Sequence, residues 1–323
     1  MVVTRLYFEI PNNNGSTVEH TIDLARELSK HHRRLVRQKQ LFTVYGGIYQ
    51  DSGESSPTNA YISTAPHYWV TKRSINRGFK AWKKQISDAM NNVADAESQK
   101  PLRTGKWSDF KIYLDDNGAT NLLSAKDASG ADLPSGEWNY TTVTMPRPDI
   151  DVQGDGSTFG AAPSDQFELF IAGSHVSSGS GTSLNYSRVG LIKSWLDSRP
   201  IPMALSNDVP NNQDRAILIA DPLTKMFLTG DADEDEKIIE AINDENDFPP
   251  YDADKLFGAS GLTGTNSHDL QMQCIVSPDS NTGVAAVAGF QALCGLLRIR
   301  ITGDTGSNGA ALILDVESNG VSF

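Results

Sequence analysis

The amino-acid sequence predicts an all-β protein, and three observations carry that expectation. Short segments alternate apolar with polar residues along the chain, the two-residue period of a strand with one buried face. Loops rich in Gly, Ser, Pro and Asn separate these segments at very unequal spacing, with only two or three helical stretches between them. Near the C-terminus, Leu297, Ile299 and Ile301 and then Leu312, Leu314 and Val316 recur at every second position on either side of the turn-forming run 303–309. That last pattern reads as an antiparallel hairpin closing a sheet, with Arg298 and Arg300 pointing away from the core.

The elements follow in chain order. Residues 4–10 alternate Leu6, Phe8 and Ile10 with Arg5, Tyr7 and Glu9, a strand. From Val18 to Lys39 the period becomes helical, with Val18, Ile22, Ala25 and Leu28 at three- and four-residue spacing and Ser16 or Thr17 as the cap. Residues 41–50 are a strand interrupted at Gly46 and Gly47, the signature of a bulge or bend. A second helix follows His67, with Phe79, Trp82, Ile86 and Met90 on one face. Further strands are expected over 106–116, 137–145, 166–176, 215–221 and 270–276, and a short helix over 186–200 that stops at Pro200. About nine strands with long, uneven excursions and no internal repeat fit a sandwich rather than a propeller or solenoid. The best match is a single jelly roll of about eight strands, filling residues 1–323 as one domain with helical insertions in its long loops.

Charge divides the chain. Its net charge is −12, yet residues 1–111 hold 17 Lys and Arg against 10 Asp and Glu, while the remainder holds 11 against 30. A polyanion partner is therefore expected for the basic third, 1–111, and not for the molecule as a whole. The acidic excess peaks in the insertion 204–262, expected on the outward surface, because burying so many unpaired carboxylates would be costly. No apolar run approaches the ~20 residues that cross a bilayer, and the N-terminal residues lack a signal-peptide pattern, so no membrane partner is expected. Cys274 and Cys294 form no metal-ligand pattern and read as buried thiols.

A search for catalytic motifs finds no H-E-x-x-H, no phosphate-binding Gly-rich loop and no G-x-S-x-G elbow. Asp231, Asp233 and Asp235 resemble the opening of a calcium loop, but Glu236 stands where its glycine belongs and Ile242 where its bidentate Glu belongs. No enzyme activity, catalytic residue, metal or cofactor is expected. One feature stands above background. Lys30, Arg33, Arg34, Arg37 and Lys39 cluster at the end of the first helix, and Lys72, Arg73, Lys80, Lys83 and Lys84 crowd the second, with Arg77 among them. Trp69, Trp82 and Trp107 interleave with these cations. Neutralised phosphates plus bases stacked on aromatics hold single-stranded nucleic acid, and these ten residues are the candidate binding set. A basic surface helix whose aromatics are simply core is the competing explanation.

The segments HYWVTKRSINRGFKAWKKQ and KWSDFKIYLD, followed late in the chain by F-x-A-x-C-G-L-L-x-I, resemble capsid proteins of small circular single-stranded DNA (CRESS-type) viruses known from environmental sequences. The resemblance covers about half the chain in patches. It implies a jelly-roll coat protein, assembled in the host cell into an icosahedral shell of many identical copies around a single-stranded genome, with the virion as its location. Capsids of that group often begin with an arginine-rich arm, whereas this chain begins with an ordinary strand. The two basic clusters would have to replace it. The alternatives are a β-sandwich module that recognises a glycan or protein surface without assembling, and a sandwich hydrolase using carboxylates.

Overall fold

The computed structural model describes residues 3–13, 15–51, 58–96, 105, 107–116, 118, 120–134, 136–146, 164–177, 186–198, 270–279, 282–305 and 309–320. The chain divides into two compact units, Met1–Trp195 with Asp254–Phe323, and Leu196–Ala253. What is described falls almost wholly in the first. The expected strand 215–221 and the acidic insertion 204–262 lie outside the described residues.

The protein is mostly β. One sheet contains β1 (Thr4–Ile10), β13 (Ala310–Ser318), β3 (Leu41–Asp51) and β10 (Val284–Val287) in that order, with β11 (Phe290–Leu293) also pairing β3. A second contains β2 (Val18–Asp23), β12 (Leu296–Thr302), β4 (Asn59–Thr64) and β9 (Gln271–Val276). Every pairing in both is antiparallel. Their inward side chains form one core: Leu6, Phe8, Phe42, Val44, Leu312 and Leu314 from the first sheet meet Ile22, Ile62, Leu297 and Ile299 from the second. Two antiparallel sheets over a shared core are consistent with a β-sandwich.

The closing hairpin does not form. The strands β12 and β13 both exist where alternation placed them, but β12 pairs with β2 and β4 while β13 pairs with β1 and β3. The run 303–309 therefore carries the chain from one sheet to the other. Each strand turns its apolar stripe into the same core from opposite sides. The outward Arg298 is also not in solvent: it is 3% exposed, covered by the segment around Asp115, with which its guanidinium pairs.

The helix expected over 18–39 is a strand followed by a shorter helix. Val18, Thr21 and Ile22 are β-branched, favouring extended backbone, and they pair antiparallel with β12. Asp23 ends the strand and caps α1 (Leu24–His32), its Oδ1 accepting from Arg26 N at 3.0 Å. Arg33 ends α1 in the left-handed region, φ 53°. The bulge in β3 is where the glycines placed it, opposite the register shift between Asp315 and Val316. The segment 106–116 is extended only as a single bridge, Tyr113 to Phe170, and 186–200 divides into β8 (Tyr186–Gly190) and α3 (Leu191–Asp197).

Loop hydrogen bonds sort the connections to two ends of the sheets. Asn13, between β1 and β2, donates to Gly303 O at 2.6 Å, between β12 and β13. Asp51 N, at the end of β3, donates to Gly283 O, just before β10. At the other end, Leu24 N donates to Gly295 O and Cys294 N to Gln40 O, joining the β2–β3 connection to the β11–β12 turn. Gln38 exchanges two hydrogen bonds with Ile112, at 2.6 and 2.9 Å. The α1 insertion and the long β4–β9 excursion thus emerge at the same end. That excursion holds α2 (Trp69–Ala96), α3 and a small sheet of β5 (Thr142–Pro146), β6 (Ser164–Phe170), β8 and β7 (Val176–Ser177).

Candidate nucleic-acid interface

The best-formed charged surface is on α2. Its inward face carries Thr71, Ser74, Ile75 and Gly78, with Phe79 and Trp82 half-buried against Phe110. A Cβ added at Gly78 would stand 2.8 Å from a methyl of Leu191, so α2 and α3 pack closely at this glycine. Arg73, Arg77, Lys80 and Lys84 stand on the opposite side at spacings i, i+4, i+7 and i+11, all exposed. At 3.6 residues per turn these positions fall within about 60° of arc and extend about 16 Å along the axis. Lys83 flanks the stripe in solvent and Lys72 is half-buried. No acidic residue occurs in α2 before Asp88, and among the described residues none of these six cations is ion-paired. Arg77 Nη1 donates to Ser194 O at 3.1 Å, which leaves its charge uncompensated.

The first cluster is rearranged by the shortened α1. Lys30, expected to meet phosphates, is only 8% exposed at its side chain and binds the wholly buried Glu27 at 2.8 Å. Glu27 also accepts from Ala125 N at 2.9 Å. Lys30 therefore neutralises a core carboxylate and is not one of the exposed cations. Arg33, Arg34, Arg37 and Lys39 are not on a helix but on the connection to β3. Arg33 and Arg34 are exposed, and Arg37 stands 3.5 Å from Asp109. Lys39 Nζ lies 4.2 Å above the Phe79 ring. Burial lowers its pKa, and the neighbouring Lys80 charge acts in the same direction. The connection thereby runs into the α2 stripe, and the two basic clusters adjoin.

The tryptophans divide between core and surface. Trp82 packs with Phe79 and Phe110, as the competing explanation expected. Trp69 is 62% exposed at the start of α2, edge-on to Trp195, and Trp107 is 45% exposed. Two surface cations were absent from the sequence-based set: Arg77, central in the stripe, and Arg26, which lines a cleft with Arg33, Trp107 and Trp138. Arg77 was discoverable from its four-residue spacing to Arg73. Arg26 was not, because its neighbours come from residues 107 and 134–138.

Beneath this surface Asp23 is a buried tie. Its Oδ2 accepts from Gln38 Nε2 at 3.1 Å, Trp138 Nε1 at 3.2 Å and Tyr140 Oη at 3.2 Å. Burial raises its pKa to about 6 against these favourable bonds. It has no access to solvent, so its work is to join α1, the β2–β3 connection and the 138–140 segment. Among the described residues no group of three or more His, Cys, Asp or Glu could hold a metal, and no helix is long and apolar enough to cross a membrane. Both cysteines are free thiols, Cys294 buried and Cys274 half-buried. No protein-family model matches the sequence, and neither curated proteins nor solved structures give a match.

Proposed function

We propose that the chain is a viral coat protein: a jelly roll that assembles into a closed icosahedral shell and holds single-stranded nucleic acid on its basic face. The observation that carries the reading is strand order. Counting β10 and β11 as one strand interrupted at Ala288 and Gly289, eight strands contribute to the two main sheets. Their orders are first–eighth–third–sixth and second–seventh–fourth–fifth. Such interleaving supports the double Greek key of a jelly roll, an architecture that capsids, lectins and cupins share. Fold alone does not choose among these functions. The uncompensated α2 stripe on a chain of net charge −12 supports the capsid, because a shell needs one face for phosphates and another that stays soluble. Identical contacts repeated about rotation axes then close the shell, on the order of 60 copies in the simplest case.

One observation favours the non-assembling binding module. Tyr45, Ile48 and Val284 are exposed on the outer face of the first sheet, as a surface for recognising another protein would be. Light scattering of the purified protein over a range of salt and pH separates the two. The capsid reading requires megadalton particles under some of these conditions, and a mass of one or two chains throughout is the result that would overturn it.

A further inference from the structure

We propose that the cleft between α1 and the 134–138 segment is a nucleotide subsite, taking one unstacked base against Trp107 with its phosphate on Arg33 and Arg26. The inference rests on the nucleic-acid reading above and names where a base, rather than the backbone, is held. The cleft encloses about 490 Å³, within the range of ~300–1,000 Å³ usual for small-ligand sites.

One aromatic wall is fixed in advance and the backbone of the other is tethered. Trp138 donates Nε1 to Asp23 at 3.2 Å, and Lys111 Nζ sits 4.2 Å over its ring. The same Nζ donates to Trp107 O at 3.0 Å, so one buried lysine anchors both tryptophan residues. No ring contact joins Trp107 to another aromatic among the described residues, and 45% of it faces solvent. A large, flat, unstacked indole beside cations is what a nucleobase stacks on.

The charges set the orientation. Lys30 and Arg26 share Glu27, at 2.8 and 3.8 Å, which leaves one positive charge between them. Arg33 adds a second with no ion-pair partner among the described residues. Its φ of 53° is a conformation that glycine adopts without strain, and an arginine held there directs its side chain from the helix end toward the cleft lining. Among the described residues Glu137 is the one acid on the exposed lining. Its carboxylate accepts from N–H groups of a base and repels phosphate, so the phosphate belongs on the arginine side.

Two segments of chain lead from the cleft to α2. From Arg33 the chain passes Arg37 and reaches Lys39 over Phe79. From Trp107 it reaches Phe110, packed on Phe79 and Trp82. A strand lying along the α2 stripe is led by these cations to the cleft.

Deoxyadenosine monophosphate tests the cleft alone, by saturation-transfer NMR on the full-length protein, and a long oligodeoxyadenylate tests cleft and stripe together. Trp107→Ala should weaken the mononucleotide by roughly 5- to 100-fold, the loss typical of one base-stacking aromatic. Trp107→Phe should keep most of the affinity. Arg33→Gln should weaken the monophosphate but leave unphosphorylated deoxyadenosine unchanged. Arg33 is exposed, so its variant should not move the melting temperature, and Trp107→Phe keeps the partly buried ring as the stability-matched comparison. An α2 variant, Arg77→Gln with Lys80→Gln, should weaken the long strand and leave the mononucleotide as it was. Mononucleotide binding that is absent, or indifferent to Trp107→Ala, overturns the cleft proposal whatever the long strand does. Trp107-dependent mononucleotide binding without any long-strand binding would keep the cleft and remove the genome-binding function.

Discussion

Removing the α2 stripe tests the electrostatics most fully. The perturbation is Arg73→Gln, Arg77→Gln, Lys80→Gln and Lys84→Gln together, four exposed positions on one line of the helix. Glutamine is as good a helix former as lysine or arginine, and exposed substitutions usually shift stability by no more than about 0.5 kcal/mol each, so the fold should survive. If each cation contacts one phosphate of a single strand, each contact releases a condensed counterion, worth about 0.7 in the slope of log affinity against log salt. The four should contribute about 2.8. Between about 50 and 200 mM salt that part of the slope alone lowers wild-type affinity roughly 50-fold, a loss the variant should not show. Fluorescence anisotropy of a labelled single-stranded oligonucleotide measures both slopes. Lys30→Gln is the control. It should leave the slope unchanged while destabilising the protein by about 1–3 kcal/mol, because the buried Glu27 would lose its nearest cation and keep only Arg26, at 3.8 Å. An unchanged slope in the quadruple variant would refute the assignment of α2 to phosphates. A slope lost in Lys30→Gln, in protein that remains folded, would show that the Glu27 pair opens to meet nucleic acid.

Two further outcomes follow from the packing. Asp23 sits at about 6 instead of 3.8, so the folded state holds its proton longer than the unfolded chain does. The stability that protonation contributes is fully present below about pH 4 and lost as pH rises through about 6, a change of about 3 kcal/mol. Chemical denaturation of the wild type against Asp23→Asn over that range should show the difference, and parallel pH profiles would contradict it. Gly47→Ala places a methyl carbon 2.1 Å from Ile313 O on the neighbouring strand. The resulting backbone shift should cost about 1–3 kcal/mol in thermal melts, and an unchanged melt would mean β3 and β13 do not pair in this register.

What the sequence could and could not reveal follows from how local each signal is. The strands β1, β9, β12 and β13 were legible because alternation is a property of a strand and its own burial. Their partners were not. Leu297–Ile301 and Leu312–Val316 are numbered as neighbours and look like a hairpin, yet alternation names a face and never a sheet. The strand β2 was hidden because Ile22, Ala25 and Leu28 keep helical spacing across the junction, and only pairing with β12 decides that Val18 to Asp23 stay extended. Arg298 was placed correctly outward, but the Asp115 segment that buries it lies far away in the chain. The cations of α2 were legible as a cluster, but the stripe was not drawn, because Arg77, four residues from Arg73, was left out of the set. The Lys30–Glu27 pair, at i, i+3, was legible, although its burial was not. The cleft was illegible because Arg33, Trp107 and Trp138 meet only through the fold.

The central claim is assembly, and a negative-stain electron micrograph of the purified full-length protein tests it most directly. A coat protein should give closed isometric particles of uniform diameter, on the order of 60 copies or a multiple, that take up single-stranded nucleic acid. Fields containing only isolated chains or small open oligomers, from protein shown to be folded and concentrated, would contradict it.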